Sequence, residues 1–289
     1  MKKVWIWMAV FCLAMNTLAN AAPISASLTA EKSYLLNELE MSDEIVNKLS
    51  TGQILELYSN KDQVASFGNE EKYFQIIGYE QDDTARASKA PLSEMRSFST
   101  KAEFTSAMNE VATKGSGGNT TYTQFFTLYI NYSSYGSYAY VYSTTTFNLS
   151  AGYKGSNEDY FSFAVGNGGV LVTDSSYPPS CQWTIRYLTG SDNVQNPSRS
   201  YTSADGVIFG PIYPFKDIMS RAISSSSGVL YAKVVPVGAN GVGNFSILAQ
   251  YSRTTIRIGS PSISFPAGIS FGFGSNNETA SVPLNCTWS

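Results

Sequence analysis

The chain of 289 residues contains no histidine, so the side chains left to do chemistry are carboxylates, tyrosines and cysteines. Losing imidazole removes the commonest general base and the commonest metal ligand. Ser-His-Asp and Cys-His hydrolases, histidine zinc sites and HExxH proteases are therefore excluded, and a cysteine nucleophile has no base to activate it. Two of the scattered acids Glu158, Asp159, Asp174, Asp192, Asp205 and Asp217 could form a glycosidase pair if the fold brought them together. Adjacent carboxylates on a strand point to opposite faces, so Glu158-Asp159 reads as a solvated turn following Gly155-Ser156-Asn157. That turn and Ser191-Asp192-Asn193 offer oxygen ligands for calcium, but lack the acid density and glycine spacing of an EF-hand. No metal and no cofactor is predicted. Gly166-Asn167-Gly168-Gly169 is not followed by Lys-Ser/Thr or a helix, and reads as a hairpin turn, not a phosphate loop.

Tyrosine is the most concentrated of these residue types. Seven of the 19 tyrosines, Tyr129, Tyr132, Tyr135, Tyr138, Tyr140, Tyr142 and Tyr153, fall between positions 129 and 153. On a rigid sheet such rings can stack on sugars or on a protein partner, or they can pack across strands with only the hydroxyl reaching water. Tyr138, Tyr140 and Tyr142 share one face and are the predicted ligand-binding residues. Cys181 and Cys286 remain once an N-terminal signal is removed; an even pair in an exported chain predicts a disulfide, with two buried thiols as the alternative.

The elements that must position these groups begin with a targeting segment. Lys2 and Lys3 precede an apolar run from Val4 to Met15, then the small-x-small pattern Ala19-Asn20-Ala21. This is the layout of a secretory signal peptide over residues 1–21, with an apolar core too short to span a bilayer. The mature chain is expected outside the cell, secreted or surface-associated, with no transmembrane span. Charge then divides it. Residues 22–115 carry 15 acids and 9 bases, whereas 116–289 carry 7 acids and 8 bases. The shift marks a boundary near Gly115-Ser116-Gly117-Gly118, giving an N-terminal helical or mixed region and a β domain. Neither part has a basic patch, so nucleic acid is not an expected partner.

Three short helices are predicted between Leu28 and Tyr58. Leu35, Leu36 and Leu39 share one face, as do Ile45, Val46 and Leu49, and Ile54, Leu55 and Tyr58. Ser42 ahead of Asp43-Glu44 and the capping box Ser50-Thr51-Gly52-Gln53 supply start signals. Tyr73 to Tyr79 reads as a strand, Gln81 to Ser93 as a loop, and Ser99 to Thr113 as a helix with Phe104, Met108 and Val111 on one stripe. Beyond Thr120, β-branched and aromatic residues recur at period two. Thr120–Tyr132 and Ser137–Leu149 form a hairpin, and nine further runs follow at 160–165, 170–173, 182–188, 207–209, 230–235, 245–251, 254–258, 262–265 and 269–273. A helix is expected over Pro214–Ile223. The fold class is mainly β: an antiparallel β-sandwich with a small N-terminal helical subdomain. Trp183 and Trp288 are expected in its core.

The helical stretch Leu35-Leu36-x-x-Leu39-x-Met41-Ser42-x-Glu44-x-Val46-x-x-Leu49-Ser50 resembles a segment of uncharacterised exported proteins of Gram-positive spore-forming bacteria. The β stretches at 127–153, 207–213 and 230–264 are similar in layout to the same proteins. That resemblance implies bacterial secretion and assigns no functional residue. The expected function is a non-catalytic extracellular binding or adhesion module, with a cell-envelope glycan or protein as partner. The alternatives are a carboxylate-dependent glycoside hydrolase and a pore-forming toxin, the latter because Thr/Ser/Tyr-alternating strands resemble barrel-inserting hairpins. A lipid-facing strand needs about ten residues with a continuous apolar face, which only Thr120–Tyr132 approaches.

Overall fold

The computed structural model describes residues 28–79, 93–114, 121–151, 158–174, 177–215, 223–237, 243–254, 262–266, 268–270 and 277–288. The expected signal peptide, the Gly115–Gly118 boundary stretch, the turn at 155–157 and most of the helix expected over 214–223 lie outside these residues.

Helices α1 (Leu28–Asn37), α2 (Asp43–Lys48) and α3 (Thr51–Ser59) form the N-terminal head. Their starts follow the sequence signals. The Ser42 side chain accepts from the Ile45 amide ahead of α2, and Ser50 and Gln53 form a reciprocal capping box on α3. After α1 the chain turns through Glu40, a non-glycine residue with φ of 51°. The Met41 amide returns to the Leu35 carbonyl there, as in a helix-ending turn that usually employs glycine.

Two antiparallel sheets follow. The larger has strand order β2 (Ser93–Phe98), β1 (Ser66–Tyr79), β3 (Thr121–Ser134), β4 (Ala139–Ala151), β11 (Ile223–Pro236), β7 (Ser180–Tyr187) and β8 (Asn193–Gln195), with β6 (Gly169–Leu171) also on β11. The smaller runs β15 (Asn277–Thr287), β12 (Asn244–Thr254), β5 (Glu158–Gly166), β10 (Gly206–Ile212) and β9 (Arg199–Ser203). β13 (Ser262–Ser264) and β14 (Gly268–Ser270) form a separate small hairpin. Helix α4 (Lys101–Lys114) lies between β2 and β3 in the chain. The fold is the expected mainly β sandwich with a small helical head.

A strand from the N-terminal region joins the larger sheet. β1 pairs with β3 over 14 residues, from Ser66↔Ser134 to Tyr79↔Thr121. The acidic region thus supplies both helices and one edge of the larger sheet. The Gly166–Gly169 turn also differs from expectation. It joins β5 of one sheet to β6 of the other, with Asn167 and Gly168 at positive φ, so it links the two layers and is not a hairpin.

Period-two alternation sets the core. Phe126, Leu128, Ile130 and Tyr132 of β3 face inward with Ala139, Val141 and Phe147 of β4, against Phe161, Phe163, Phe245, Ile247 and Tyr251 of the smaller sheet. Trp183 and Trp288 are both buried there. Trp183 lies over Gly228 of β11, where any Cβ would collide with the indole ring.

One end of this core is ionic. Asp159 and Arg253, both fully buried, are register partners on β5 and β12. Arg253 Nε and Nη2 donate to the two carboxylate oxygens at 3.0 and 2.9 Å. Its Nη1 donates across the sandwich to Gln124 Oε1 on β3, and the Tyr251 hydroxyl donates to Asp159. Asp159 is therefore not in the solvated turn expected for Glu158-Asp159; β5 begins at Glu158 and turns Asp159 inward. A buried pair costs several kcal/mol if one partner is removed. Asp159→Asn should lower unfolding stability by about 3–5 kcal/mol in urea titration, and the double variant Asp159→Leu/Arg253→Met should lose less than the single one.

The expected disulfide is not formed: Cys181 and Cys286 are free and buried. β15, which carries Cys286, packs against β1, β2 and β3, while Cys181 sits on β7, three strand steps from β3. At about 4.8 Å per step this is about 14 Å, beyond the roughly 7 Å limit between bridged Cα atoms. Burial pushes the pKa of both thiols well above the ordinary thiol range, keeping them protonated. Mature protein should show no thiol reactive with Ellman's reagent when native and two after denaturation, without prior reduction. Zero in denaturant would mean that the bridge exists.

Candidate functional site

The outer face of the larger sheet is where helices, tyrosines and charge meet. Tyr138 lies just before β4, and Tyr140 and Tyr142 lie on it, all pointing outward as their alternation requires. They are not an open stacking platform. Tyr140 and Tyr142 are 2% and 1% exposed, packed with Tyr129, Tyr135 and Val229 beneath Leu35, Leu39, Met41, Ile45, Val46, Ile54 and Leu57 of the head. The head covers these rings because three short helices have no other apolar surface to rest on. Tyr138 is half-buried at the margin, its ring stacked on Tyr135 at 5.1 Å. Lys233 Nζ lies 4.2 Å from the Tyr138 ring centroid and 4.1 Å from that of Tyr177.

Hydroxyls and amides fasten the head to the sheet. Tyr129 OH donates to the Glu40 carbonyl. Asn131 Nδ2 donates to the Leu39 carbonyl at 3.0 Å and Asn69 Nδ2 to the Glu40 carboxylate at 2.7 Å. Three sheet side chains thus grip the positive-φ corner. The Tyr140 hydroxyl donates to the Glu56 carboxylate of α3, and Lys48 Nζ donates to the Ser227 carbonyl of β11 at 3.2 Å.

On the far side, α4 sets Phe104 among Tyr73, Phe98 and Phe125, with centroid distances of 5.3, 5.7 and 5.7 Å. Phe104 is buried, as the stripe predicted. Between this helix and the head the sheet is open, and a cavity of about 250 Å³ remains, room for about eight waters. Its floor is Thr127 and Tyr129 of β3 with their register partners Thr146 and Thr144 of β4. Asn148, the extra residue of a β-bulge on β4, closes one end. Ser42 and Glu44 stand on the head side, Glu71 on β1, and Lys101, Phe104, Thr105 and Met108 on α4.

Thr144 is 3% exposed, and its hydroxyl has no hydrogen-bond partner among the described residues. Glu71 accepts from the Tyr73 hydroxyl at 2.6 Å. Neither Glu44, Glu71 nor Lys101 makes an ion pair among the described residues. The cavity therefore presents fixed hydroxyls below, carboxylates and one ammonium above, and the edges of Phe104 and Met108 beside them. Among the described residues no three Cys, Asp or Glu converge to hold a metal ion. The sequence reading missed Glu44, Glu71 and Lys101, because strand and helix periodicity does not say which separated segments face one another. A signal for the floor was present: Thr144 and Thr146 continue the Tyr138–Tyr142 face.

No family model matches the chain and no curated protein matches it in sequence. Among solved structures, the collagen-binding domain from a Staphylococcus aureus adhesin aligns at 9% identity over 50% of this chain and 87% of that one, with a TM-score of 0.23. A pore forming protein aligns at 8% identity over 57% and 87%, TM-score 0.26. The C-terminal domain of the Streptococcus agalactiae AgI/II polypeptide BspA aligns at 8% identity over 73% and 83%, TM-score 0.25. No helix among the described residues is long and apolar enough to cross a membrane, which says nothing of a β-barrel.

Titration of the head–sheet interface follows from burial. Desolvation holds Lys48 down from 10.5 to about 8 and pushes Tyr129, Tyr135, Tyr142 and Tyr231 above their ordinary 10. For Lys48 the unfolded chain binds the extra proton between about pH 8 and 10.5, so stability rises with pH through that window. For the tyrosines the folded chain holds the extra protons above pH 10, so stability falls there. Thermal unfolding should show the midpoint climbing from pH 7.5 to about 9.5 and dropping above 10. Lys48→Met should remove the climb and keep the drop.

Proposed function

We propose that this protein is a non-catalytic extracellular binding module whose cavity between head and α4 takes one sugar residue of a cell-envelope glycan. The observation that carries this reading is the cavity floor of three threonines and a tyrosine, where the side chain of Thr144, a residue only 3% exposed, lines the cavity and makes no hydrogen bond among the described residues. A hydroxyl facing the cavity can both donate and accept, so a polyhydroxylated ligand or ordered water there can partner it. Sugar recognition uses such rigid hydroxyls and carboxylates for in-plane hydrogen bonds, with aromatic edges for the C–H faces. Export follows from the signal peptide read at residues 1–21, and attachment to the envelope needs no catalytic group.

A glycoside hydrolase is the second reading, favoured by the presence of Glu44 and Glu71 on one cavity. A general acid needs an enclosed apolar setting to keep its proton. Glu71 instead lies exposed at the rim and Glu44 is half-buried, which supports binding over hydrolysis.

Purified mature protein should co-sediment saturably with isolated bacterial cell wall, and Thr144→Val/Thr146→Val should weaken this about tenfold or more while leaving the unfolding midpoint within a few degrees. Absence of binding by the parent protein overturns the reading. Sugar release that disappears in Glu44→Gln or Glu71→Gln overturns it in favour of the hydrolase.

A further inference from the structure

We infer that the cavity selects a sugar bearing a free amine, in its ammonium form, over neutral, N-acylated or acidic sugars. This inference rests on the sugar-binding reading of the same cavity.

Charged side chains surround a fixed, uncharged floor. Thr127, Thr144 and Thr146 are uncharged and can serve any sugar. Specificity must come from the walls, where two carboxylates, Glu44 and Glu71, face a single ammonium, Lys101. Glu44 has Lys48, one helical turn on, as an electrostatic neighbour, and neither carboxylate makes a contact ion pair among the described residues. The Tyr73 OH contact to Glu71 donates to the carboxylate and leaves its charge in place. The surroundings add to the sign: residues 28–63 of the head hold seven acids and three bases. Glu40, whose carboxylate takes an amide from Asn69, stands beside Tyr129 at the cavity floor.

Lys101 lies at the start of α4, opposite the head, and is exposed. An ammonium entering from solvent gains charge-assisted hydrogen bonds to carboxylates in a partly enclosed space, where they are stronger than in bulk water. A carboxylated sugar meets the same two carboxylates as like charges and is disfavoured. N-acylation removes the charge and leaves only the hydroxyl floor. The volume, about eight waters, accommodates one sugar ring with the hydroxyls displacing those waters.

Titration calorimetry with the full mature chain at pH 6 would compare the glucosamine disaccharide, its N-acetylated form, a neutral glucose disaccharide and glucuronate. The amine form should bind at least tenfold tighter than the N-acetylated and neutral forms, with glucuronate weakest. Glu44→Gln/Glu71→Gln should reduce that preference to within about twofold without abolishing neutral-sugar binding, whereas Thr144→Val should weaken every sugar. Asp62→Asn, on the head and away from the cavity, should change nothing. Equal affinity for amine and neutral sugars overturns the charge selection and leaves the sugar site standing. Binding of no sugar overturns both. An amine preference that falls equally in Asp62→Asn also overturns it, because general attraction to the acidic head then suffices.

Discussion

The docking of three short helices onto the outer face of β3 and β4 is the constraint on which the site depends. None of α1, α2 or α3 exceeds ten residues, and helices of that length are marginal alone in water. Their leucines and isoleucines need a surface, and the sheet supplies one made largely of tyrosine. Tyrosine suits that interface because its ring is buried while its hydroxyl reaches a polar group at the seam. Tyr129 does so at the Glu40 carbonyl and Tyr140 at the Glu56 carboxylate. The polar contacts fix where the head sits, and the apolar ones hold it there.

The end of that docking decides where the cavity begins. Along β4 the outward residues run Tyr140, Tyr142, Thr144, Thr146. The first two pack under the helices, and the next two face the gap between the head and α4, with Ser42 and Glu44 beside them. A threonine pair offers too little apolar surface to attract another helix, and α4 is drawn instead to Phe98 and Phe125. The gap between the two helical covers therefore has a hydroxyl floor, with walls made from the polar sides of α2 and α4. A binding site arises where two packing preferences along one strand change over.

The opposite face of the same sheet is under a different regime. Aromatic rings fill it, and its ionic end couples the two layers through Arg253, Asp159 and Gln124. Those charges belong to the architecture, being satisfied by one another and closed to solvent. The charges of the cavity are the reverse, solvent-accessible and without ion-pair partners among the described residues. A ligand can engage the second kind and not the first. This separates the carboxylates that serve the fold from those available for recognition, which position in the sequence does not do.

Much of the architecture could be read from local pattern. Signals at Ser42 and Ser50 started helices where expected, period-two alternation assigned the faces of β3 and β4, and Trp183 and Trp288 were placed in the core. β9 and β15 escaped notice because Arg199–Ser203 and Asn277–Thr287 are too polar to stand out by alternation, their pairing coming from neighbours in the sheet. The cysteines show the limit most clearly: parity suggested a bridge, and strand order put them several strands apart. The same holds for the tyrosines and for the cavity. The sequence by itself determined which side of each strand faces out and which segments must be helical, because both follow from backbone periodicity. Only the tertiary structure decided that the helices pack on Tyr140 and Tyr142, leave a cavity over Thr144 and Thr146, and bring Glu44, Glu71 and Lys101 around it. Those are meetings of segments up to about a hundred residues apart, fixed by which apolar surfaces remain to be buried, and no local pattern records them.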